Sequence, residues 1–223
     1  MDLQEYADQE MLCLALADRL AGDLRRALGR RERALFCVPG GTTPGPVFDI
    51  LSDIDLDWDR IDVIPSDERW VPEDDPRSNA GLLRRRLLQG KAAEARLIPL
   101  YAPAETPEAV LEALTASVKA LLPIDVALLG MGADMHVASL FPGGDRLHEA
   151  LASDAPPLLP IRAPTVPEPR ITLTLPALES AFALHILITG AEKRAAIEKA
   201  EDLDPEKAPV AALLGEAQVH WAE

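Results

Sequence analysis

Cysteine and aromatic residues are scarce in this chain. Only two of its 223 residues are cysteine, Cys13 and Cys37. Two thiols close at most one bridge, so no disulfide framework is expected to brace the fold. Both sit in apolar stretches and read as small core residues. Trp, Tyr and Phe make up only 4%, so the core must be built from Leu, Ala, Val and Ile. No uninterrupted apolar run approaches membrane-spanning length. The N-terminal stretch MDLQEYADQE is acidic and lacks the apolar segment of a signal peptide. A cytoplasmic protein with no membrane partner is expected. Positive charge is also in deficit: 22 Lys and Arg face 37 Asp and Glu, a formal net charge of −15. A surface that negative repels phosphate backbones, which argues against a nucleic-acid partner. It leaves room for a small anion, because a few placed cations can dominate a cleft. The histidines, His136, His148, His185 and His220, are scattered without metal-ligand spacing, so no metal or other cofactor is expected. No Gly-x-Ser-x-Gly elbow is present, which argues against a serine hydrolase.

What is abundant is regular alternation. The length suits one unit spanning residues 1–223. Leu3, Ala7, Met11, Leu14, Ala17, Ala21, Leu24 and Leu28 recur every three or four residues and predict one face of a long helix, with Gly29 placed to end it. ALFCV, Ala34 to Val38, reads as a buried strand breaking into a Pro-Gly-Gly loop. TPGPVFDILS follows as a helix with prolines in its first turn. RIDVIPSDERW is a second strand running into a charged loop, and SNAGLLRRRLL is helical. TPEAVLEALTASVKALL predicts a long helix capped by Thr106. IDVALLG is a third strand. RITLTLPAL and ALHILITG read as further strands, the latter followed by a helix, AEKRAAIEKA. PVAALLGEAQVHWAE closes the chain as a short helix and a strand. The Pro-rich DAPPLLPIRAPTVPEPR reads as a loop. Strands alternating with helices predict an α/β fold with a mainly parallel sheet covered on both faces.

In such folds ligands bind beyond the carboxyl ends of the strands, and the unusual residues of this chain fall there. PGGTTP offers two glycines, Gly40 and Gly41, that let backbone approach a ligand closely, and two hydroxyls, Thr42 and Thr43, at a helix start. Exposed N–H groups at that position favour an anion. SDERWVPEDDPRSN places Asp67, Glu68 and Arg69 directly after a strand, with Trp-Val-Pro to stiffen the loop. Arg69 suits an anionic or carbonyl oxygen. Arg84, Arg85 and Arg86 fan over a helix and read as a solvated face. LLGMGADMH ends a strand in Gly130 and Gly132, then delivers Asp134 and His136. This is a near miss to the dinucleotide fingerprint, since Met135 stands where a third Gly or Ala belongs. Histidine is the side chain best suited to take a proton near neutral pH, and Asp134 can orient it or act as a base itself. Arg170 at a strand start and Lys193 in a helix's first turn are further candidate anion ligands.

Taken together these motifs resemble the 6-phosphogluconolactonase family. GGTTP is similar to its phosphate loop GGSTP. SDERWVPEDDPRSN is similar to its DERWVP…SN signature, and LLGMGADMHVASLFPG to its LLGxGxDGHTASLFPG signature. PRITLTLP and ITGAEK match looser, later motifs. The resemblance implies a three-layer αβα fold with a Rossmann-like sheet, shared with sugar-phosphate isomerases, glucosamine-6-phosphate deaminases and CoA transferases. It implies hydrolysis of 6-phospho-D-glucono-1,5-lactone in the oxidative pentose phosphate pathway, by a monomer or homodimer without a cofactor. By carry-over His136 is the general base, Asp134 assists or orients it, and Arg69 stabilises the oxyanion. Gly40, Gly41, Thr42, Thr43, Asp67, Arg170 and Lys193 form the phosphate and substrate site. The alternatives are a deaminase or isomerase, or a non-catalytic sugar-phosphate sensor. The deaminase loop resembles GxDGHIAFNEP, with a glutamate where this chain has Phe141. Two positions depart from the lactonase pattern: Met135 replaces the glycine before the histidine, and Val137 replaces threonine. If that glycine has φ > 0, Met135 is strained by about 1–3 kcal/mol; if it leaves room for substrate, Met135 narrows the pocket. Val137 removes a hydroxyl, a change of roughly 0.5–1.5 kcal/mol if that hydroxyl made a hydrogen bond.

Overall fold

The side chains of the first buried strand point alternately into two different cores. In the computed structural model, which describes residues 1–223, Ala34, Phe36 and Val38 pack into one apolar cluster of 26 buried residues, and Leu35 and Cys37 into another of 32. A strand buried on both faces must read as a continuous apolar run, which is what ALFCV does. Cys13 and Cys37 are both free and buried.

In chain order the elements are β1 (Asp2–Glu5), α1 (Gln9–Leu28), β2 (Ala34–Val38), α2 (Gly45–Ser52), β3 (Ile61–Pro65), β4 (Asp67–Arg69), α3 (Asn79–Arg86), β5 (Arg96–Leu97), α4 (Leu111–Lys119), β6 (Val126–Gly130), α5 (Leu147–Leu151), β7 (Leu158–Ile161), β8 (Arg170–Leu173), α6 (Leu175–Glu179), β9 (Ala183–Thr189), α7 (Gly190–Ala200) and β10 (Gln218–Ala222). Seven strands form one sheet in the order β1-β10-β9-β6-β2-β3-β5, and every neighbouring pair is parallel. Helices α1 to α3 cover one face. The other face carries α4 to α7 and a second, antiparallel sheet, β4-β8-β7. This is the expected α/β architecture.

Several local expectations need correcting. The periodic face predicted from Leu3 onwards is two elements. Residues 2–5 are a short edge strand, and the helix begins at Gln9, after Asp8, whose side chain accepts from the Met11 amide at 2.8 Å. The buried stripe of α1 is Leu12, Leu16, Leu20 and Leu24 with Cys13, Ala17 and Ala21, whereas Met11 and Leu14 face solvent. Thr106 does not cap with its side chain; a 3₁₀ turn over Pro107–Val110 precedes the nine-residue α4. The Pro-rich segment contains β7, and the second half of RITLTLPAL is α6 rather than strand. Proline blocks a ladder bond only where its N–H is needed, so Pro160 fits an edge strand.

The topology sets the site. The chain winds outward from β2 to β3 and later returns to place β6 on the other side of β2. That reversal opens a crevice at the carboxyl ends of β2 and β6. The loops leaving β2, β3, β6 and β9 are therefore neighbours there.

Candidate active site

Those loops enclose a cleft of about 310 Å³. Its lining includes Gly40, Gly41, Thr43, Asp67, Arg69, His136, Arg170 and Lys193. Eight of the ten site residues anticipated from the sequence thus converge on one cavity. Thr42 does not line it; it faces a separate depression with Gln9, Cys13 and Ile50. Asp134 stands behind His136, outside the lining, and acts on the cleft through the imidazole.

The Asp134–His136 pair is built by a tight loop after β6. The Gly132 amide donates to the His136 carbonyl at 2.9 Å, and the Met135 amide to the Gly132 carbonyl at 3.0 Å. This closes the turn and brings His136 Nδ1 to 2.5 Å from Asp134 Oδ1. The pair packs directly over Gly132: a Cβ there would lie 2.1 Å from Nδ1 and 2.5 Å from Oδ1. Only glycine fits beneath it. The hydrogen bond from His136 holds the Asp134 carboxyl below the ordinary carboxylate range. An ionised Asp134 takes the Nδ1 proton as its partner and leaves Nε2 with a free lone pair. The imidazole rests on Phe141, ring centroids 4.6 Å apart.

The cationic side of the cleft comes from the small sheet. Arg69 on β4 is the direct cross-strand partner of Arg170 on β8. Like charges placed opposite one another on a sheet are destabilising unless something neutralises them. The Arg69 Nη1 reaches the Arg77 carbonyl, and Arg170 Nη2 lies 3.4 Å from Glu168. Yet the Nε of Arg69 and the Nε of Arg170 are both buried without a partner, and no other buried side-chain N or O in the chain is so. Burial pushes the Arg170 guanidinium down from its ordinary value, and nearby Asp67 opposes that. Lys193 is also pushed down by burial, against the pull of Asp134. Its ammonium donates to the Met131 carbonyl at 2.7 Å.

Sequence reasoning singled out the DER triplet but not its division of labour. Glu68 is fully buried and is a structural anchor. It accepts from the Arg69, Asn79 and Ala80 amides at 2.7–2.8 Å and from Ser78 Oγ at 3.2 Å. It thereby pins the start of α3 against β4. Burial pushes its carboxyl up, against the pull of those amides. Asn79 was read only as part of a motif. Its side chain donates to the Asp67 carbonyl at 2.8 Å and packs against Gly40, where a Cβ would lie 2.0 Å from Oδ1. Gly41, at φ +84°, has open space around it and lets the loop turn.

A family model described as glucosamine-6-phosphate isomerases/6-phosphogluconolactonase matches residues 7–221. The chain belongs to this family. Among relatives, a 6-phosphogluconolactonase of Mesorhizobium japonicum is 42% identical, with 97% of this chain and 93% of that one covered. One of Pseudomonas aeruginosa is 42% identical over 98% and 94%. The crystal structure of a 6-phosphogluconolactonase from Shewanella baltica superposes with a TM-score of 0.96 at 30% identity, covering 100% of this chain and 98% of that one. A monomeric glucosamine-6-phosphate deaminase, 21% identical, shares the fold with a TM-score of 0.82.

The two departures from the lactonase pattern now have locations. Met135 sits at φ +65°, so the first branch applies: the position demands left-handed backbone, and methionine bears the strain. Its side chain packs against the larger core rather than lining the cleft, and its carbonyl accepts from the Val210 amide at 3.2 Å. Met135 does not narrow the pocket. Val137 is fully buried in the same core. A threonine hydroxyl there would face apolar packing, so its absence costs the cleft no hydrogen bond.

Proposed function

We propose that His136, Asp134, Arg69 and Arg170 carry out the hydrolysis of 6-phospho-D-glucono-1,5-lactone to 6-phosphogluconate in this chain. The observation that supports it is the pairing across one cleft of an oriented imidazole with two unpartnered buried guanidinium nitrogens. Lactone hydrolysis needs a base for water, a cation for the developing oxyanion and an anchor for the phosphate. In the reaction His136 Nε2 takes a proton from water as its oxygen bonds to C1. The carbonyl oxygen becomes an oxyanion beside Arg69. The ring C1–O bond then breaks, and the imidazolium returns its proton to the leaving ring oxygen. Asp134 balances the imidazolium charge throughout. Arg170 and Lys193, with the backbone of Gly40 and Gly41 and the Thr43 hydroxyl, serve the phosphate end. Asp67 accepts from a sugar hydroxyl.

The same reading takes residues 1–223 as one catalytic unit, supported by two cores that share one sheet. A net charge of −15 supports a cleft-bound anion over a nucleic-acid partner, and no helix is long and apolar enough to cross a membrane. Phe141 occupies the cleft where the deaminase loop carries a glutamate, so proton transfer of the isomerase kind lacks its carboxylate.

Purified protein should hydrolyse the lactone well above its spontaneous rate. His136→Ala should lose about 10²- to 10⁴-fold of that rate. Wild type and variant both indistinguishable from buffer would refute the assignment.

A further inference from the structure

The loop that carries His136 is fastened to the strand that carries Arg69 at one buried point. Ser139, with no exposed surface, donates from Oγ to Asp67 Oδ2 at 2.5 Å. The other carboxylate oxygen accepts from Ser66 Oγ at 2.9 Å. The Ser139 amide donates to Thr172 Oγ1 at 3.1 Å, and that hydroxyl donates to the Leu173 carbonyl at 2.9 Å. Thr172 is in turn the cross-strand partner of Asp67. The chain arrives at Ser139 through Ala138 at φ +52°, a conformation uncommon for a residue with a Cβ. A backbone held in that region next to an active-site loop needs compensation from its surroundings, and the two hydrogen bonds of Ser139 supply it.

We propose that Ser139, assisted by Ser66, is a positioning residue for substrate recognition that acts through Asp67. This rests on the lactonase reading above. An ionised carboxylate offers about four lone-pair sites. Two are filled by serine hydroxyls, and the donors fix the carboxylate plane. The remaining sites belong to a group that lines the cleft and is only 7% exposed. They are open to a ligand in the cleft, and the ligand chemistry that suits a carboxylate acceptor is the hydroxyl of a polyhydroxy sugar. Without the Ser139 hydroxyl the carboxylate keeps only the Ser66 donor and its plane is no longer fixed, so the substrate hydroxyl meets a less ordered acceptor. The serine does not touch the reacting atoms, so its loss falls on binding rather than on the chemical step.

The test is a double-mutant cycle of Ser139→Ala and Asp67→Asn, read in steady-state kcat and KM for the lactone and in the calorimetric Kd of 6-phosphogluconate. Ser139→Ala is expected to raise KM and Kd about ten- to a hundredfold, as for a lost hydrogen bond to a charged group, with kcat held within about twofold. In the Asp67→Asn background the same change should add little. Equal factors in both backgrounds, or a fall in kcat at unchanged KM, would overturn the proposal. Ser139→Cys, close in shape but a weak donor, should reproduce the alanine result and carries the test if the alanine variant fails to fold. A wild type that binds 6-phosphogluconate without turning over the lactone would refute the hydrolytic reading alone, and the Kd cycle would still decide the role of Ser139.

Discussion

Arg69 and Arg170 stand directly opposite one another on β4 and β8, and each keeps a buried Nε without a partner. The strands are joined by backbone hydrogen bonds, so the two cations cannot move apart. The fold accepts that repulsion at the spot where an anionic substrate would relieve it. Replacing Arg170 by Met should therefore change unliganded stability by less than about 1 kcal/mol, because lost repulsion offsets lost contacts. Affinity for 6-phosphogluconate should fall tenfold or more. Thermal melts with and without product check both halves: wild type gains about 2.7 kcal/mol at a hundred times Kd, and the variant much less at the same concentration.

Gly132 is the floor under the Asp134–His136 pair. With a Cβ placed 2.1 Å from His136 Nδ1, Gly132→Ala must push the imidazole off Asp134. The fold should survive, since the clash is with an exposed loop, while kcat drops about a hundredfold or more, the usual scale for losing an oriented base. Circular dichroism with steady-state kinetics distinguishes this from unfolding.

Met135→Gly separates strain from crowding. Left-handed backbone costs methionine roughly 1–2 kcal/mol, whereas glycine gives up about 0.5–1 kcal/mol of chain entropy and the packing of a half-buried side chain. The expected net change in stability is within about 1 kcal/mol. KM should stay within about twofold, because the side chain does not line the cleft. Val137→Thr should give no gain in affinity and cost about 1–3 kcal/mol, from burying a hydroxyl without a partner. Lower KM in either variant would contradict the placement of these side chains.

His220 on β10 is a titratable group that does not line this cleft. Burial, followed by the neighbouring His185, pushes His220 down to about 3. His220 bonds His185 at 3.0 Å and Tyr6 at 2.8 Å, and His185 bonds Asp23 at 3.0 Å. An unfolded histidine titrates near 6.5. Between there and about 3 the unfolded chain holds a proton that folded His220 refuses. The stabilisation is complete above the unfolded value and is lost as pH falls, by up to about 1.4 kcal/mol per unit. Melting temperatures at pH 7 and pH 4.5 should differ less for His220→Gln than for wild type.

Much of this was legible in the linear chain because the physics is local. ALFCV and the VALLG of IDVALLG read as strands since two-face burial leaves no polar position. PGGTTP, DERW and GMGADMH stood out because special backbone and charge at strand ends break the apolar pattern. The edge strand Asp2–Glu5 merged with the helix that follows, as an exposed strand carries no alternation to read. β7 was hidden among prolines for a related reason: an edge strand needs only half its amides.

The amino-acid sequence alone determined the alternation of strands and helices, the parallel sheet and the candidate base, carboxylate and cations at the strand ends, since each is read from neighbours within a few positions. Tertiary structure alone decided that Arg69 meets Arg170, that Ser139 fastens Asp67, that Asn79 seals Gly40 and that Met135 turns its side chain to the core. Those relationships join residues up to about a hundred positions apart, the first of them across a small antiparallel sheet, and no local preference of the chain encodes which strand lies beside which.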